Sequence, residues 1–290
     1  MEADIFSSLE KVIFIDPGNR GLENLWTPGC LSILSDKILK CDKSKKSYVL
    51  TGFCCMFGRC ETDGPLGSSV LCSTLRSLGF NTELLCDKYA EPVVKAASHG
   101  NPVTVVEDPN EIADPSFIIS VERPGRSLKT DDFRTMKARD ITNVTAPLDL
   151  LFPKVGDPPK PYLTVSVGDG GNEIGTGNIY EKVKQFVSQG EEICTSIACD
   201  ILVMAGVSNW GALAIAAALV VASQCEEAKE TFVNECNKQE EILSSMISAG
   251  SYDGCTGKSE LSIDGMKFEN EHLNVTNQLV KIVETSINKK

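Results

Sequence analysis

Between Thr164 and Asn178 a short β-branched stretch gives way to five glycines interleaved with Asp169, Asn172, Glu173 and Asn178. Glycines permit positive φ and close backbone approach to a ligand. Successive backbone N–H groups in such a turn can form an anion-binding nest, and carboxylates beside it can hold a cation or move a proton. A loop that only reverses the chain needs one or two glycines. The run is therefore expected to be a ligand-binding or catalytic loop, with an elaborate structural turn as the alternative. On this reading the N–H groups of the run could hold an anion, and Asp169 and Glu173 could hold a cation or move a proton.

Three further segments share this pattern. Tyr48–Phe53 leads into Glu61-Thr62-Asp63-Gly64-Pro65, Phe117–Val121 into Glu122-Arg123-Pro124-Gly125-Arg126, and Ile201–Gly206 into Ser208-Asn209-Trp210-Gly211. Each delivers polar, glycine-containing sequence just after an apolar run. Arg123 and Arg126 would suit a carboxylate or phosphate, because a guanidinium offers bidentate donors. Each loop also has a plainer reading. Asp63 could cap the helix that Pro65 begins, the arginines could be a solvated pair, and Ser208-Asn209 could cap a helix. The Asp253-Gly254 and Asp264-Gly265 pairs read as turns, with the question open whether either aspartate reaches the site.

The elements that would position these loops follow from periodicity. Helices are expected over Asp4–Ile15, Leu31–Cys41, Ser68–Leu78, Ile179–Val187, Ala212–Ser223, Glu226–Ala249 and His272–Ile287. Strands are expected at Tyr48–Phe53, Asn81–Cys86, Val103–Glu107, Phe117–Val121, Leu163–Val167 and Ile201–Gly206, with a helical turn at Pro147–Phe152. The alternation predicts an α/β fold with a mostly parallel sheet, helices on both faces, and the ligand site at the C-terminal ends of the strands. The chain reads as one domain over residues 1–290. A stiff Gly156–Pro161 linker makes the region near 153–161 a candidate internal hinge.

Composition narrows the function classes. Net charge is −12, from 28 basic and 40 acidic residues, which argues against nucleic acid or an anionic membrane as the main partner. No apolar run reaches transmembrane length, and the acidic start Met1-Glu2-Ala3-Asp4 lacks a signal or transit pattern, so a cytoplasmic location is the default expectation. Twelve cysteines and two histidines show no zinc spacing. Most of the thiols sit among apolar neighbours; Cys30, Cys55 or Cys60 as a nucleophile is the lesser reading. Gly168–Asn172 puts Glu173 where a dinucleotide fingerprint needs its third glycine, and Gly257-Lys258-Ser259 lacks the first glycine of a P-loop. No nucleotide or organic cofactor is expected. A hard divalent cation, Mg²⁺, Mn²⁺ or Ca²⁺, would suit a carboxylate-rich site.

Taken in order, Asp16-Pro17-Gly18-Asn19-Arg20-Gly21-Leu22, Thr51-Gly52-Phe53, Glu61–Pro65, Glu122–Arg126, Gly168–Asn178, Ser208–Gly211 and Asp253-Gly254 resemble the D-glutamate cyclases. The likeness is to the C-terminal domain of the animal mitochondrial enzyme and its stand-alone microbial relatives, and it runs from about residue 10 to 285. Thr176 departs from the methionine usual there, and so does the cysteine-rich stretch before Glu61. The resemblance implies a single α/β domain, an acidic pocket for a divalent cation, and a hydro-lyase reaction that closes D-glutamate to 5-oxo-D-proline. Matched onto the loops, that reaction assigns catalysis to Asp169, Glu173 and Glu122. It assigns metal binding to Asp63, Asp169 and Glu173. Substrate contacts fall to Thr51, Gly52, Arg123, Arg126, Gly170, Gly171, Asn172, Ser208 and Asn209. A mitochondrial matrix location and a homo-oligomer stay open on this likeness. The competing readings are a divalent-metal-dependent phosphohydrolase and a non-catalytic small-molecule-binding protein.

Overall fold

A computed structural model describes residues 2–55 and 58–287. Six strands form one parallel sheet: β1 (Lys46–Thr51), β2 (Asn81–Cys86), β3 (Val103–Val105), β4 (Phe117–Val121), β5 (Leu163–Gly168) and β6 (Ile201–Met204). Their spatial order is β3-β2-β1-β4-β5-β6, so the order reverses between β1 and β4. In doubly wound sheets the crevice beyond the carboxyl ends of the strands at that reversal is where ligands bind.

The strands are apolar on both faces, and their side chains alternate between two cores. Val49, Leu84, Ile119, Val165 and Val203 face one core; Leu50, Leu85, Ile118, Leu202 and Met204 face the other. Helices cover both faces as expected, but unequally. The first core takes α1 (Glu2–Ile13), α2 (Cys30–Leu39), α3 (Pro65–Ser77) and α4 (Glu91–Ala97). The second is roofed by the short α5 (Tyr180–Phe186) and α6 (Gly190–Ile193) and by irregular chain around Leu22, Leu148 and Phe152. The remaining helices, α7 (Ser208–Ser223), α8 (Glu226–Asn237), α9 (Gln239–Ser248) and α10 (Leu273–Ser286), return to the first core.

The α7 helix is buried from Ser208 to Val221, as expected of a helix that is apolar all round. Its first turn lies against the start of α3. A Cβ placed on Gly67 would meet the Asn209 carbonyl oxygen at 2.6 Å and the Asn209 Cα at 2.9 Å. Asn209 fixes the same junction from its side chain, where Oδ1 accepts from Gly64 N (3.1 Å) and Gly67 N (2.7 Å).

Two expectations need correction. Glu226–Ala249 is two helices, broken at Lys238, although the buried positions Phe232, Cys236, Gln239, Leu243 and Met246 keep helical spacing across the break. No glycine or proline marks it, so the break is set by packing rather than by local signals. The second concerns the chain between β4 and the Leu148–Leu151 turn, left unassigned by periodicity. It builds a hairpin-like flap through backbone bridges Arg126–Phe133 and Arg134–Asp140. The proline-rich segment 156–161 is exposed and irregular, with Lys154 bridged to Ile197 just before it.

Gly67→Ala is expected to cost about 1–3 kcal/mol, the usual penalty of overpacking against backbone that cannot move aside. Urea denaturation checks this; an unchanged midpoint would mean that α7 shifts freely and that the junction is not fixed.

Candidate functional site

The four loops at the strand ends converge as the sequence pattern suggested. Asp63 follows β1, Glu122 follows β4, Asp169 follows β5, and α7 begins just after β6. Asp63, Glu122 and Asp169 are all buried, and each offers a carboxylate oxygen within 4.8 Å of the other two. Among the described residues this is the group of three whose geometry fits a metal ion.

The first turn of α7 organises the cluster. Asp63 Oδ2 accepts from Ser208 N at 2.9 Å, and its Oδ1 accepts from Asn209 N at 2.7 Å and Gly64 N at 2.9 Å. Asp169 Oδ2 accepts from the same Ser208 N at 3.1 Å. Ser208 Oγ donates to Glu122 Oε2 at 2.6 Å. Carboxylates are favoured here because unpaired N–H groups and the positive end of the helix dipole meet at a helix N-terminus. Glu122 itself has φ 46°, a left-handed conformation unusual for a residue with a side chain. Strain of this kind persists where the surroundings hold it, and it clusters at functional sites.

One arginine enters the cluster, and it is neither Arg123 nor Arg126. Arg20 pairs with Asp169 through Nη1 and with Asp264 through Nη2 at 2.9 Å. Its loop is held by Asp16, whose carboxylate accepts from the backbone N–H groups of Arg20, Gly21 and Leu22. Asp264 arrives on the two-residue turn between short antiparallel strands β7 (Ser262–Ile263) and β8 (Met266–Lys267). Asp264 and Gly265 both have positive φ, 55° and 80°, as a tight Asp-Gly hairpin requires. Asp253 instead holds backbone N–H groups of Cys255, Thr256 and Gly265.

Arg20, Glu61, Glu122, Asp169 and Asp264 line a cavity of about 570 Å³, together with Asn172 and the flap tip Thr135–Lys137 and Arg139. Burial first, then mutual repulsion, pushes Glu61, Asp63 and Glu122 well above the usual carboxylate range. Burial also raises Asp169, with Arg20 opposing, and lifts Asp264 to about 6. Three backbone donors favour the anion at Asp63, whereas Glu122 has a single hydroxyl partner. Glu122 is thus the member best placed to keep a proton. Burial opposes charge on Arg20, but Asp169 and Asp264 outweigh it and hold the guanidinium charged.

Several assigned residues stand elsewhere. Glu173 is 0% exposed and closes the glycine nest itself: Oε1 accepts from Gly170 N and Oε2 from Gly171 N, both at 2.7 Å. The loop folds back because Gly170 and Gly171 stand three and two residues before Glu173, so the nest donors are taken by an internal side chain and are not open to an oxyanion. Glu173 consequently falls outside the three-carboxylate group, and Glu122 takes its place. Arg123, 1% exposed, is spent on Asp87 (2.7 Å) and the carbonyl oxygens of Gly52 and Ala146. Arg126 pairs with Asp149 at 3.1 Å and lies over the Phe133 ring, fixing the base of the flap. Thr51 and Gly52 are buried behind the loops, and Ser208 and Asn209 position acids rather than line the cavity. Cys30 lies beside Glu10, and burial pushes its thiol up to about 12. Burial raises Cys55, and the Cys54 contact and burial raise Cys60, so none of the three suits a nucleophile.

The profile of a family described as "D-glutamate cyclase-like, C-terminal" matches residues 9–280. A curated relative, "D-glutamate cyclase, mitochondrial" of Homo sapiens, is 26% identical over 324 aligned residues, covering 96% of this chain and 52% of that protein. The chain thus spans about half the length of that relative. No helix of the described residues is long and apolar enough to cross a membrane.

The raised Glu122 has a thermodynamic consequence. A carboxyl whose folded pKa exceeds its unfolded value contributes stability below the unfolded pKa, about 4.3, and loses it as pH rises through the folded pKa. In EDTA-treated protein Glu122→Gln is therefore expected to melt higher than wild type at pH 8, with the gap closing toward pH 5. Thermal melts across that range check it; a gap that is absent or widens on acidification would show Glu122 to be stabilised as the anion.

Proposed function

This chain belongs to the D-glutamate cyclase-like family, and on that premise we propose that it closes D-glutamate to 5-oxo-D-proline with loss of water. The observation that carries this reading is the Asp63–Glu122–Asp169 cluster at the wall of a cavity large enough for an amino acid. Cyclisation joins the α-nitrogen to Cδ and breaks one Cδ–O bond, and two protons of the ammonium end on the departing oxygen. The enzyme must therefore take protons at one point and return them at another. Asp169, whose anion Arg20 favours against burial, is the acceptor; Glu122, raised well above the usual range by burial, is the donor to the leaving oxygen. Asp63 accepts from Ser208 N and Asn209 N and holds the first turn of α7 in register with both.

With Glu122 ionised as well, the three carboxylates fit a hard divalent cation in donor chemistry and spacing. Bound there, such an ion would supply a Lewis acid to polarise the γ-carboxyl group. Arg123 and Arg126 have no part in this reading, because both are committed to internal acids. A phosphohydrolase would draw on an open nest, and Glu173 fills it.

Purified protein incubated with D-glutamate, with L-glutamate and with p-nitrophenyl phosphate, each with Mn²⁺ or EDTA, tests the reading. Chiral chromatography should find 5-oxo-D-proline from D-glutamate; phosphate release without oxoproline would transfer the chain to the hydrolase reading. Asp169→Asn and Glu122→Gln should each lower turnover at least ~100-fold with folding retained, the usual effect of removing a proton-transfer group. Near-normal turnover in both would sink the assignment.

Calorimetry on EDTA-stripped protein should detect uptake of Mg²⁺, Mn²⁺ or Ca²⁺, abolished by Asp63→Asn. Absence of uptake would leave proton transfer by the buried carboxyls as the whole mechanism.

A further inference from the structure

Asn172 carries a constraint that the cluster chemistry leaves unused. Its side chain is 1% exposed and lines the cavity, yet its Oδ1 has no partner. The orientation of the amide is fixed, because Nδ2 donates to the Arg134 carbonyl oxygen at 2.8 Å. The residue thus brings to the cavity lining a buried acceptor with nothing to accept from. A buried polar atom in this position costs free energy unless a ligand donor satisfies it.

Beside it stands the flap tip. Thr135 N donates to Arg139 O at 3.0 Å and Ala138 N to Thr135 O at 2.8 Å, with Ala138 at φ 56°, so the tip is a closed turn. Arg134 stiffens it by donating to Ala138 O and pairing with Asp132. Gly170 makes room for the tip: a Cβ there would lie 2.5 Å from Met136 Sδ. Lys137 and Arg139 line the cavity, and among the described residues their side chains form no ion pair. Arg20, the other cation at the cavity, is committed to Asp169 and Asp264.

The cavity is therefore polarised. Carboxylates stand on its wall, two uncommitted cations on the flap, and an oriented acceptor beside them. We infer that Asn172 Oδ1 accepts a hydrogen bond from the ligand's α-ammonium while Lys137 and Arg139 seat its α-carboxylate, making the flap the element that selects an α-amino acid. This deepens the cyclase reading and rests on it for the identity of the third substituent. That substituent is the γ-carboxyl chain, directed at Glu122 and Asp169. Contacts to three groups on one carbon also discriminate its two hands, which contacts to two groups do not.

The test uses ligands that cannot form the five-membered lactam, so it does not depend on turnover. D-Aspartate keeps the ammonium and both carboxylates; succinate lacks the ammonium. Calorimetry on wild type should show D-aspartate binding about tenfold tighter than succinate, the effect of one charge-assisted hydrogen bond. Asn172→Leu should erase that preference and leave succinate binding unchanged. The double variant Lys137→Gln/Arg139→Gln should weaken both ligands about tenfold or more while circular dichroism and melting stay as in wild type. Equal weakening of both ligands in Asn172→Leu would reduce Asn172 to a tether of the flap and overturn the ammonium assignment. Retained preference in that variant would overturn it as well. Unchanged binding in the double variant, or no D-aspartate binding by wild type, would overturn the flap as the carboxylate seat. Failure of wild type to cyclise D-glutamate, with these binding results intact, would reject the proposed reaction and leave the flap assignment standing.

Discussion

Holding several carboxylates together away from water is the constraint on which this structure turns. Glu61, Asp63, Glu122, Asp169 and Asp264 are pushed up by burial and by one another, so each costs stability at neutral pH. The fold offsets that cost locally. The N-terminal N–H groups of α7 meet Asp63 and Asp169, Ser208 Oγ meets Glu122, and Arg20 bridges Asp169 to Asp264. These partners are in turn positioned by features with no direct part in chemistry. The bare backbone of Gly67 lets α3 approach the start of α7, and Asp16 shapes the turn that presents Arg20. Gly206 N donates to Ile13 O, tying the chain that precedes α7 to the end of α1.

Most of the scaffold was legible because its signals are local. Strands of alternating two-core burial, such as Phe117–Val121 and Asn81–Cys86, fall where the sequence placed them, and the parallel order follows from strands separated by helices. The break at Lys238 and the flap were not legible. The first interrupts an unbroken apolar period, and the second is held by bridges between residues that show no periodicity. Pro124 and Gly125 mark a turn in the strand-end loop, but nothing marks the reversal at Thr135–Arg139 except Ala138 in a conformation that alanine rarely adopts.

The site was legible in residue types more than in roles. Asp63, Glu122 and Asp169 were singled out as strand-end acids, and they meet. Arg123 and Arg126 pair with internal acids, a partner the sequence does not report, because a guanidinium at a strand end looks the same whether it meets a ligand or an internal acid. Arg123 lies on Asp87, which stands 36 residues earlier in the chain, and no local pattern reports that pairing. Arg20 and Asp264 lie 244 residues apart, and only the closed fold joins them. Glu173 could have been read from spacing, since an acid two to three residues after a pair of glycines is able to reach their N–H groups.

The filled nest bears on how the cavity handles negative charge. Backbone N–H groups bind an anion without regard to what else it carries, so an open nest would take phosphate, sulfate or carboxylate alike. With Glu173 in that position, the nest offers a ligand little, and on the proposed reading anion recognition passes to side chains on a separate element. The flap can then read more than charge. Asn172 links it to the glycine loop through Arg134 O, so the acceptor proposed for an ammonium and the cations proposed for a carboxylate are held together by one hydrogen bond. An internal carboxylate in the nest therefore has two effects: it ties the glycine loop to itself, and it removes a general anion site, which is what gives the proposed ammonium contact at Asn172 its weight.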